Sequence, residues 1–483
     1  MLSKLKRNGR DGGTGMIAFV ALAVQQIGGL AVVLLAARFL SPSEYGVYSI
    51  AAIFLMLLQE MTFAGVTQYI VTQKGDEKAL LATTFWLIFG FSTAGSIIFF
   101  AAAPLLAVAF DAPQLTSVIQ LLALAQPVAA YTAWASAILM RRKQMRLHFS
   151  LVGLQNLIAL VGGVATLFWW QSIFALVAYR YFRTFSGLLC YLIFVRESPG
   201  WKIDKVLGRQ LFSYSSHLYG TRFLQFFSNY GADLMLGVTM STAAAGLYRL
   251  GNRIAMVPVE LIGQPVRTFA LAQFGDAHRY DKPFSPLAAA FISSMIFLMG
   301  CIGATTSIFG KEMVTYLFQP AYMAALPVAM ALIVRSILGI GDSLLEAVLA
   351  SIGKTRLIFW HRTFWAVVVV VGMFAAAPFG PGPVAWTLAA IMFFATAMTL
   401  RHFVRYAGIR LGAVVVASAK ALALVAVYYA GAWLIHHELA GNVSRNLELM
   451  LLVSLGGCLL LGLALTGIAL KLRVLVLGIF SGH

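Results

Sequence analysis

Long runs of apolar residues, separated by short polar segments, recur along the whole chain. Each run holds about 20 residues, enough for a helix to cross the roughly 30 Å hydrocarbon layer of a membrane. The pattern predicts 14 transmembrane helices, which we number as spans 1 to 14: residues 16–37, 46–70, 79–103, 115–140, 148–170, 172–195, 211–238, 243–272, 286–309, 326–350, 358–378, 384–400, 412–435 and 447–470. The sequence therefore predicts an all-α polytopic membrane protein.

Composition and charge support a membrane protein and exclude a nucleic-acid-binding one. The chain is 60% hydrophobic and only 11% charged, whereas a soluble domain carries about 25% charged residues. Its net charge of +18 comes from basic residues that lie mostly between the apolar runs. With a cytoplasmic N-terminus, 24 Lys and Arg fall in cytoplasmic segments and 3 in outer loops, when Arg362 at the start of span 11 is counted with the loop before it. This asymmetry predicts that both termini face the cytoplasm, with residues 1–15 as a cytoplasmic segment.

The two halves of the chain resemble each other at a separation of 200 residues. The coinciding positions include Gln25, Ser41, Gly46, Tyr48 and Glu60, which meet Gln225, Ser241, Gly246, Tyr248 and Glu260. The repeat predicts lobes at residues 16–200 and 201–410, each of six helices, followed by an extra helix pair and cytoplasmic tail at 411–483. An even number of helices gives both lobes the same orientation, as in transporters that work by alternating access.

Ionisable residues inside the predicted spans are costly, so they usually face a cavity or a partner. Cations outnumber acids here, and several recur on one face of their helix. The pattern predicts a cation-lined cavity for an anionic group, because arginine binds phosphate in a bidentate manner. The candidate substrate-binding residues are Arg180, Arg183, Arg222, Arg249, Arg253 and Arg335.

The acids in the spans have two possible roles. They can exchange H⁺ or bind Na⁺ as a coupling ion, or they can form salt bridges, for example Arg222 with Asp233 or Arg253 with Glu260. These candidates are Glu60, Asp233, Glu260, Asp342 and Glu346. We expect no cofactor and no metal site, since the eight histidines lack the spacing of metal ligands. No nucleophile constellation or nucleotide-binding loop is present either, so we expect a protein that is not an enzyme.

Two motifs carry a resemblance to a known family. The stretch from Arg38 to Tyr48, Arg-Phe-Leu-Ser-Pro-Ser-Glu-Tyr-Gly-Val-Tyr, resembles the hinge after the first helix of polysaccharide-type flippases. These flippases belong to the multidrug/oligosaccharidyl-lipid/polysaccharide (MOP) exporter superfamily. The region from Asp233 to Pro265, with its Gly-Leu-Tyr turn ending at Tyr248, is similar to the same family. The resemblance covers most of residues 16 to 410.

Membership of that family would imply a two-lobed fold like that of multidrug (MATE) transporters, in a bacterial inner membrane. The implied cargo is an undecaprenyl-pyrophosphate-linked oligosaccharide, exported for an exopolysaccharide, a capsule or the O-antigen of lipopolysaccharide. The implied partners are this lipid-linked cargo, membrane lipids, and a polysaccharide polymerase with its chain-length regulator, without nucleic acid.

Three alternatives stay open. A drug exporter of the same superfamily would favour an anionic cavity for cationic drugs. A peptidoglycan-precursor flippase would share the cation-lined cavity. A polytopic polysaccharide polymerase or ligase would usually need a large outer loop, and the sequence predicts none.

Overall fold

Helices make up nearly all of the described chain, because a helix satisfies its own backbone hydrogen bonds inside a membrane. The computed structural model describes residues 2–63, 65–74, 76–201 and 203–438, with the backbone alone at 2–15, 19, 217, 218, 221, 257, 258, 260–269 and 438. Within these ranges the chain contains no β-strand. The predicted all-α fold is confirmed.

The described residues form 17 α-helices. The first nine are α1 Leu2–Phe39, α2 Pro42–Phe63, α3 Val66–Thr72, α4 Glu77–Ala109, α5 Gln114–Leu124, α6 Gln126–Arg141, α7 Met145–Trp170, α8 Ile173–Phe194 and α9 Lys205–Thr239. The others are α10 Thr242–Arg279, α11 Phe284–Leu317, α12 Ala325–Leu338, α13 Ile340–Ser343, α14 Leu345–Ser351, α15 Thr355–Ala376, α16 Pro381–Ala407 and α17 Leu411–Glu438. Short 3-10 helices lie at Pro320–Ala324 and Ala377–Phe379.

Ten helical stretches of the described chain are long and apolar enough to cross a membrane, and they coincide with predicted spans 1 to 5 and 9 to 13. Helices α8, α9 and α10 lie where spans 6, 7 and 8 were predicted. They are less apolar than the others because they carry most of the charged residues found inside the spans. Span 14, residues 447–470, lies outside the described residues.

Three predicted spans are broken rather than continuous. Span 2 breaks at Gly65, whose φ of 77° is left-handed and suits glycine. Span 4 breaks where α6 begins beside Pro127, which has no N–H to donate. Span 10, predicted as one helix over 326–350, is divided into α12, α13 and α14. The charged residues of span 10 therefore lie on three helices, Arg335 on α12, Asp342 on α13 and Glu346 on α14.

The chain divides into two compact units. Unit 1 comprises Met1–Leu250 and Met373–Pro381, and unit 2 comprises Gly251–Gly372 and the chain from Gly382 onward. The predicted lobes at 16–200 and 201–410 describe the sequence repeat, and they stay a prediction.

Each unit has its own apolar core. In unit 1, α2 contacts α4, α5, α8 and α9, and one cluster of fully buried side chains includes Ile50 and Leu115. A second cluster in the same unit surrounds Trp134, whose indole N–H donates to the Leu81 carbonyl at 3.0 Å. In unit 2, α11 packs along α17. These cores keep the helices that carry the polar residues at fixed positions.

Two glycines that the sequence repeat aligns touch each other in unit 1. A Cβ on Gly46 would lie 1.8 Å from the Thr242 carbonyl oxygen, and a Cβ on Gly246 would lie 2.1 Å from the Pro42 carbonyl oxygen. The Ser43 and Thr242 hydroxyls are hydrogen-bonded at 2.9 Å beside this contact. Small residues allow membrane helices to approach this closely. The starts of α2 and α10 therefore cross backbone to backbone.

Replacing either glycine with alanine should destabilise the protein. Gly46→Ala or Gly246→Ala places a methyl group against a backbone carbonyl that cannot rotate away, so we expect a loss of at least about 1–3 kcal/mol. The measurement is the thermal unfolding midpoint of the purified protein in detergent. Gly90→Ala is the matched control, since its Cβ meets nothing within 4 Å. Equal midpoints for all three variants would contradict the close crossing.

Candidate substrate-binding site

Two of the predicted arginines, Arg180 and Arg183, lie one turn apart on α8. Arg180 donates from Nη2 to Oε1 of Gln59 at 3.3 Å. Gln59 in turn donates from Nε2 to Oε1 of the buried Gln126 at 3.1 Å. Within the described parts of the chain, neither Arg180 nor Arg183 forms an ion pair with a carboxylate. Both side chains are half-buried.

Tyr48, from the repeated Gly-x-Tyr motif, belongs to the same group. Its hydroxyl interacts electrostatically with both guanidinium groups and with Tyr179. We call Tyr48, Gln59, Gln126, Arg180 and Arg183 the α8 cluster. It combines two fixed positive charges with phenol and amide groups, which is the chemistry that binds phosphate oxygens and sugar hydroxyls.

Arg222 on α9 pairs with Glu60 on α2. The distance from Nη1 to Oε2 is 3.6 Å, and the two side chains are 41% and 45% exposed. The predicted pair of Arg222 with Asp233 is wrong, since Asp233 pairs with Arg249 instead. Because the pair is open, it contributes less than about 1 kcal/mol.

Asp233 is fully buried on α9 and pairs with Arg249 on α10. The distance from Oδ2 to Nη1 is 3.7 Å, with 0% exposure for the Asp233 side chain and 21% for Arg249. The Arg249 guanidinium also lies over the Tyr230 ring, 5.2 Å from its centroid. Arg249 is therefore held by a buried carboxylate and an aromatic ring, which favours a structural role over substrate binding.

The remaining arginine candidates lie in unit 2. Arg253 is half-buried on α10, and Arg335 is half-buried in the last turn of α12. No carboxylate of the described chain pairs with Arg335. The side chain of Glu260 lies outside the described residues, so its proposed pairing with Arg253 stays a prediction.

The two acids predicted on span 10 lie in different surroundings. Asp342 is on the short helix α13, where it is hydrogen-bonded to His361 at 3.0 Å and to Thr399 at 2.9 Å. Glu346 is exposed on α14. The break between α13 and α14 thus separates one acid that is held by partners from one that is open.

Comparison with known proteins decides the family. A sequence model of the family described as "Polysaccharide biosynthesis protein" matches residues 35–327, which is more than half of the chain. The chain belongs to this family. The succinoglycan biosynthesis transport protein ExoT of Rhizobium meliloti (strain 1021) is 22% identical to it over 349 residues, spanning 71% of this chain and 69% of that protein.

Solved structures show the fold of this family member. The lipid II flippase MurJ in an inward closed conformation matches with a TM-score of 0.72 at 12% identity, covering 93% of this chain and 100% of that one. An inward-facing multidrug resistance MATE family transporter of the MOP superfamily matches with a TM-score of 0.62 at 13% identity, covering 80% and 96%. The predicted MOP-type fold and the resemblance to polysaccharide-type flippases are confirmed. The protein is a member of a polysaccharide biosynthesis family with the helices of a multi-pass membrane protein.

Sequence reasoning missed four polar residues of these groups. Gln59 and Gln126 join the α8 cluster, and His361 and Thr399 hold Asp342. The signal that marks them is a glutamine, histidine or threonine inside an apolar span, because such a side chain also needs a hydrogen-bond partner there.

The Arg249–Asp233 and Arg222–Glu60 ion pairs should differ strongly in their contribution to the stability of the protein. Arg249→Met leaves the buried Asp233 carboxylate without its cation, so we expect a loss of about 3–5 kcal/mol. Adding Asp233→Asn to that variant should restore much of the loss. The same cycle with Arg222→Met and Glu60→Gln should show a coupling below about 1 kcal/mol. Thermal unfolding of the four variants of each cycle gives the coupling energies, and similar values for both pairs would refute this difference.

Proposed function

We propose that the protein flips an undecaprenyl-pyrophosphate-linked oligosaccharide repeat unit across the bacterial inner membrane by alternating access. The cargo would serve the synthesis of an exopolysaccharide, a capsule or an O-antigen. The observation that carries this proposal is the α8 cluster, in which Arg180 and Arg183 have no carboxylate partner in the described chain. Positive charge that is not neutralised within a membrane protein is costly unless a ligand uses it.

The chemistry of the α8 cluster suits a pyrophosphate attached to a sugar. Two guanidinium groups one turn apart can each bind a phosphate oxygen pair in a bidentate manner. The Tyr48 hydroxyl and the amides of Gln59 and Gln126 offer donors and acceptors for sugar hydroxyls. The prenyl chain needs no polar contact and can stay in the lipid phase.

A drug exporter fits these residues less well. Cationic drugs would require free carboxylates, but Glu60 and Asp233 are each already paired with an arginine. A peptidoglycan-precursor flippase shares the pyrophosphate chemistry, and the fold match to the lipid II flippase favours it as the second candidate. Rescue of a strain that lacks its own precursor flippase would separate the two.

The proposed setting follows from the charge asymmetry of the loops. Both termini would face the cytoplasm, where the cargo is assembled, and the released cargo would reach a polymerase and its chain-length regulator at the outer surface. Membrane lipids would surround the exposed apolar side chains of helices such as α7 and α17.

Replacing Arg180 and Arg183 should stop export without unfolding the protein. Loss of one charge-assisted contact weakens binding by about 10- to 100-fold, so Arg180→Gln and Arg183→Gln should each reduce surface polysaccharide, and the double variant should abolish it. Arg183→Lys should restore only part of the activity, because lysine cannot bind in a bidentate manner. Lys420→Gln is the matched control, since this lysine is exposed on α17.

The measurement is complementation of a clean deletion in the source organism, scoring surface polysaccharide and lipid-linked repeat units together. Completed repeat units that accumulate facing the cytoplasm would support the flippase. Normal export by a folded double variant would refute the substrate site. Normal polysaccharide in the deletion strain, with new drug sensitivity, would refute the proposed cargo.

A further inference from the structure

A polar cluster in unit 2 is built around the break in span 10. Helix α12 ends at Leu338, and its carbonyl accepts a hydrogen bond from the Thr396 hydroxyl at 2.6 Å. Gly341 lets α16 come close at this point, since a Cβ there would lie 2.8 Å from Cγ2 of Thr396. Broken helices occur in membrane transporters where they line a site, because the freed backbone groups need partners. The break places Asp342 beside α15 and α16.

Asp342, His361 and Thr399 share one hydrogen-bonded centre. His361 Nε2 lies 3.0 Å from Oδ1 of Asp342, and the Thr399 hydroxyl donates to the same oxygen at 2.9 Å. The Thr399 hydroxyl also lies 3.2 Å from His361 Nε2. The side chain of His361 is 1% exposed and that of Asp342 is 16% exposed. The carboxylate is therefore the only member of this trio with appreciable access to its surroundings.

Several buried nitrogens around this centre have no hydrogen-bond partner in the described chain: Nδ1 of His361, Nε1 of Trp365 and Nε2 of His402. The His361 ring lies 5.5 Å from the His402 ring and 6.4 Å from the Trp365 ring, measured between centroids. Buried polar atoms are nearly always satisfied, so a group of unsatisfied ones indicates a function. We call Asp342, His361, Trp365, Thr399 and His402 the Asp342 cluster.

Charged side chains act on the Asp342 cluster from the neighbouring helices. Arg362 on α15 interacts electrostatically with Asp342, and Arg401 and Arg405 on α16 interact with His402. The helices that contact α13 add further ionisable groups, which are Arg335 on α12, Glu346 on α14, and Lys311 and Glu312 on α11. Arginine does not lose its proton in proteins. Within the cluster, the groups that can exchange a proton are therefore the two histidines and Asp342.

We propose that the Asp342 cluster binds and releases the proton that drives the transport cycle, with His361 as the group that carries it. When Nε2–H of neutral His361 donates to the Asp342 carboxylate, Nδ1 has a lone pair that meets no donor of the described chain. A hydronium ion transfers one proton to that lone pair: an O–H bond breaks, an N–H bond forms, and the products are water and an imidazolium. Release is the reverse transfer, in which the N–H bond breaks and water takes up the proton.

Proton binding changes the net charge of the cluster core from −1 to neutral. Neutral His361 beside ionised Asp342 carries one negative charge, whereas the imidazolium and the carboxylate cancel. A pair without net charge is less costly in the membrane than a single buried carboxylate. The protonation state of His361 can therefore favour one conformation of the transporter over another. Sodium fits less well, because a hard cation needs several oxygen ligands and the cluster offers a carboxylate and one hydroxyl.

The coupling role rests on the proposed function, whereas proton binding can be tested on the protein alone. Tryptophan fluorescence of the purified protein in detergent should change in a single-proton transition as the pH is lowered, because a nearby imidazolium quenches Trp365. His361→Gln should abolish the transition, Asp342→Asn should shift it, and Trp365→Phe should remove the signal. Replacing choline with sodium in the buffer should leave the transition of the wild-type protein unchanged.

His436→Gln is the matched control. His436 also forms a pair with a carboxylate in unit 2, at 2.9 Å from Glu312, and its loss should leave the Trp365 transition unchanged. If His361→Gln does not fold, Thr399→Val removes one hydrogen bond to Asp342 and should shift the transition. A transition that persists in folded His361→Gln, or one that depends on sodium, would overturn the proposal.

The functional arm uses complementation of the deletion strain, with surface polysaccharide as the readout. His361→Gln should lower export at least tenfold, and His436→Gln should export like the wild type. Normal export by folded His361→Gln would overturn the coupling role. Wild-type protein that titrates as expected but restores no polysaccharide would overturn the proposed function and would still support proton binding at the cluster.

Discussion

The cost of an isolated charge in the hydrocarbon of a membrane decides how the polar residues of this protein are arranged. An ionisable side chain at the bilayer centre costs at least about 2.5–3.5 kcal/mol, so each one needs a partner, a path to water or a ligand. Asp233 meets this requirement through Arg249, and Asp342 meets it through His361 and Thr399. Arg180 and Arg183 meet no such acid among the described residues, and this difference is the basis on which we propose them as anion-binding charges.

Much of the fold could be predicted from the sequence, because the signal for a membrane helix is local. Thirteen of the fourteen predicted spans fall on described helices. The breaks could not be predicted in the same way. Glycine and proline are common in membrane helices, and residues 336–341 around Gly339 carry no charge that would mark a break. Whether the helix breaks there depends on Thr396, which comes from a distant part of the chain and satisfies the freed carbonyl.

The partners of the charged residues were harder to predict than the residues themselves. Arg222 and Asp233 lie on one face of α9, but eleven residues separate them, about 16 Å along a helix. At that distance each meets a different neighbour, Glu60 on α2 and Arg249 on α10. His361 stands beside Arg362 and Thr363 near the start of an apolar span, and only the folded chain shows that it faces a carboxylate.

The contact between Gly46 and Gly246 bears on the origin of the molecule. Gly46 lies against the backbone of Thr242, which is four residues before Gly246. Gly246 lies against the backbone of Pro42, which is four residues before Gly46. The contact is therefore nearly the same when the two sequence repeats are exchanged. This is the reciprocal relation found between identical subunits of a two-fold dimer. The geometry is what two copies of a half-length ancestor would have formed before their genes were fused. A fused chain is free to let its halves diverge, yet this point of contact still limits both halves to the smallest residue.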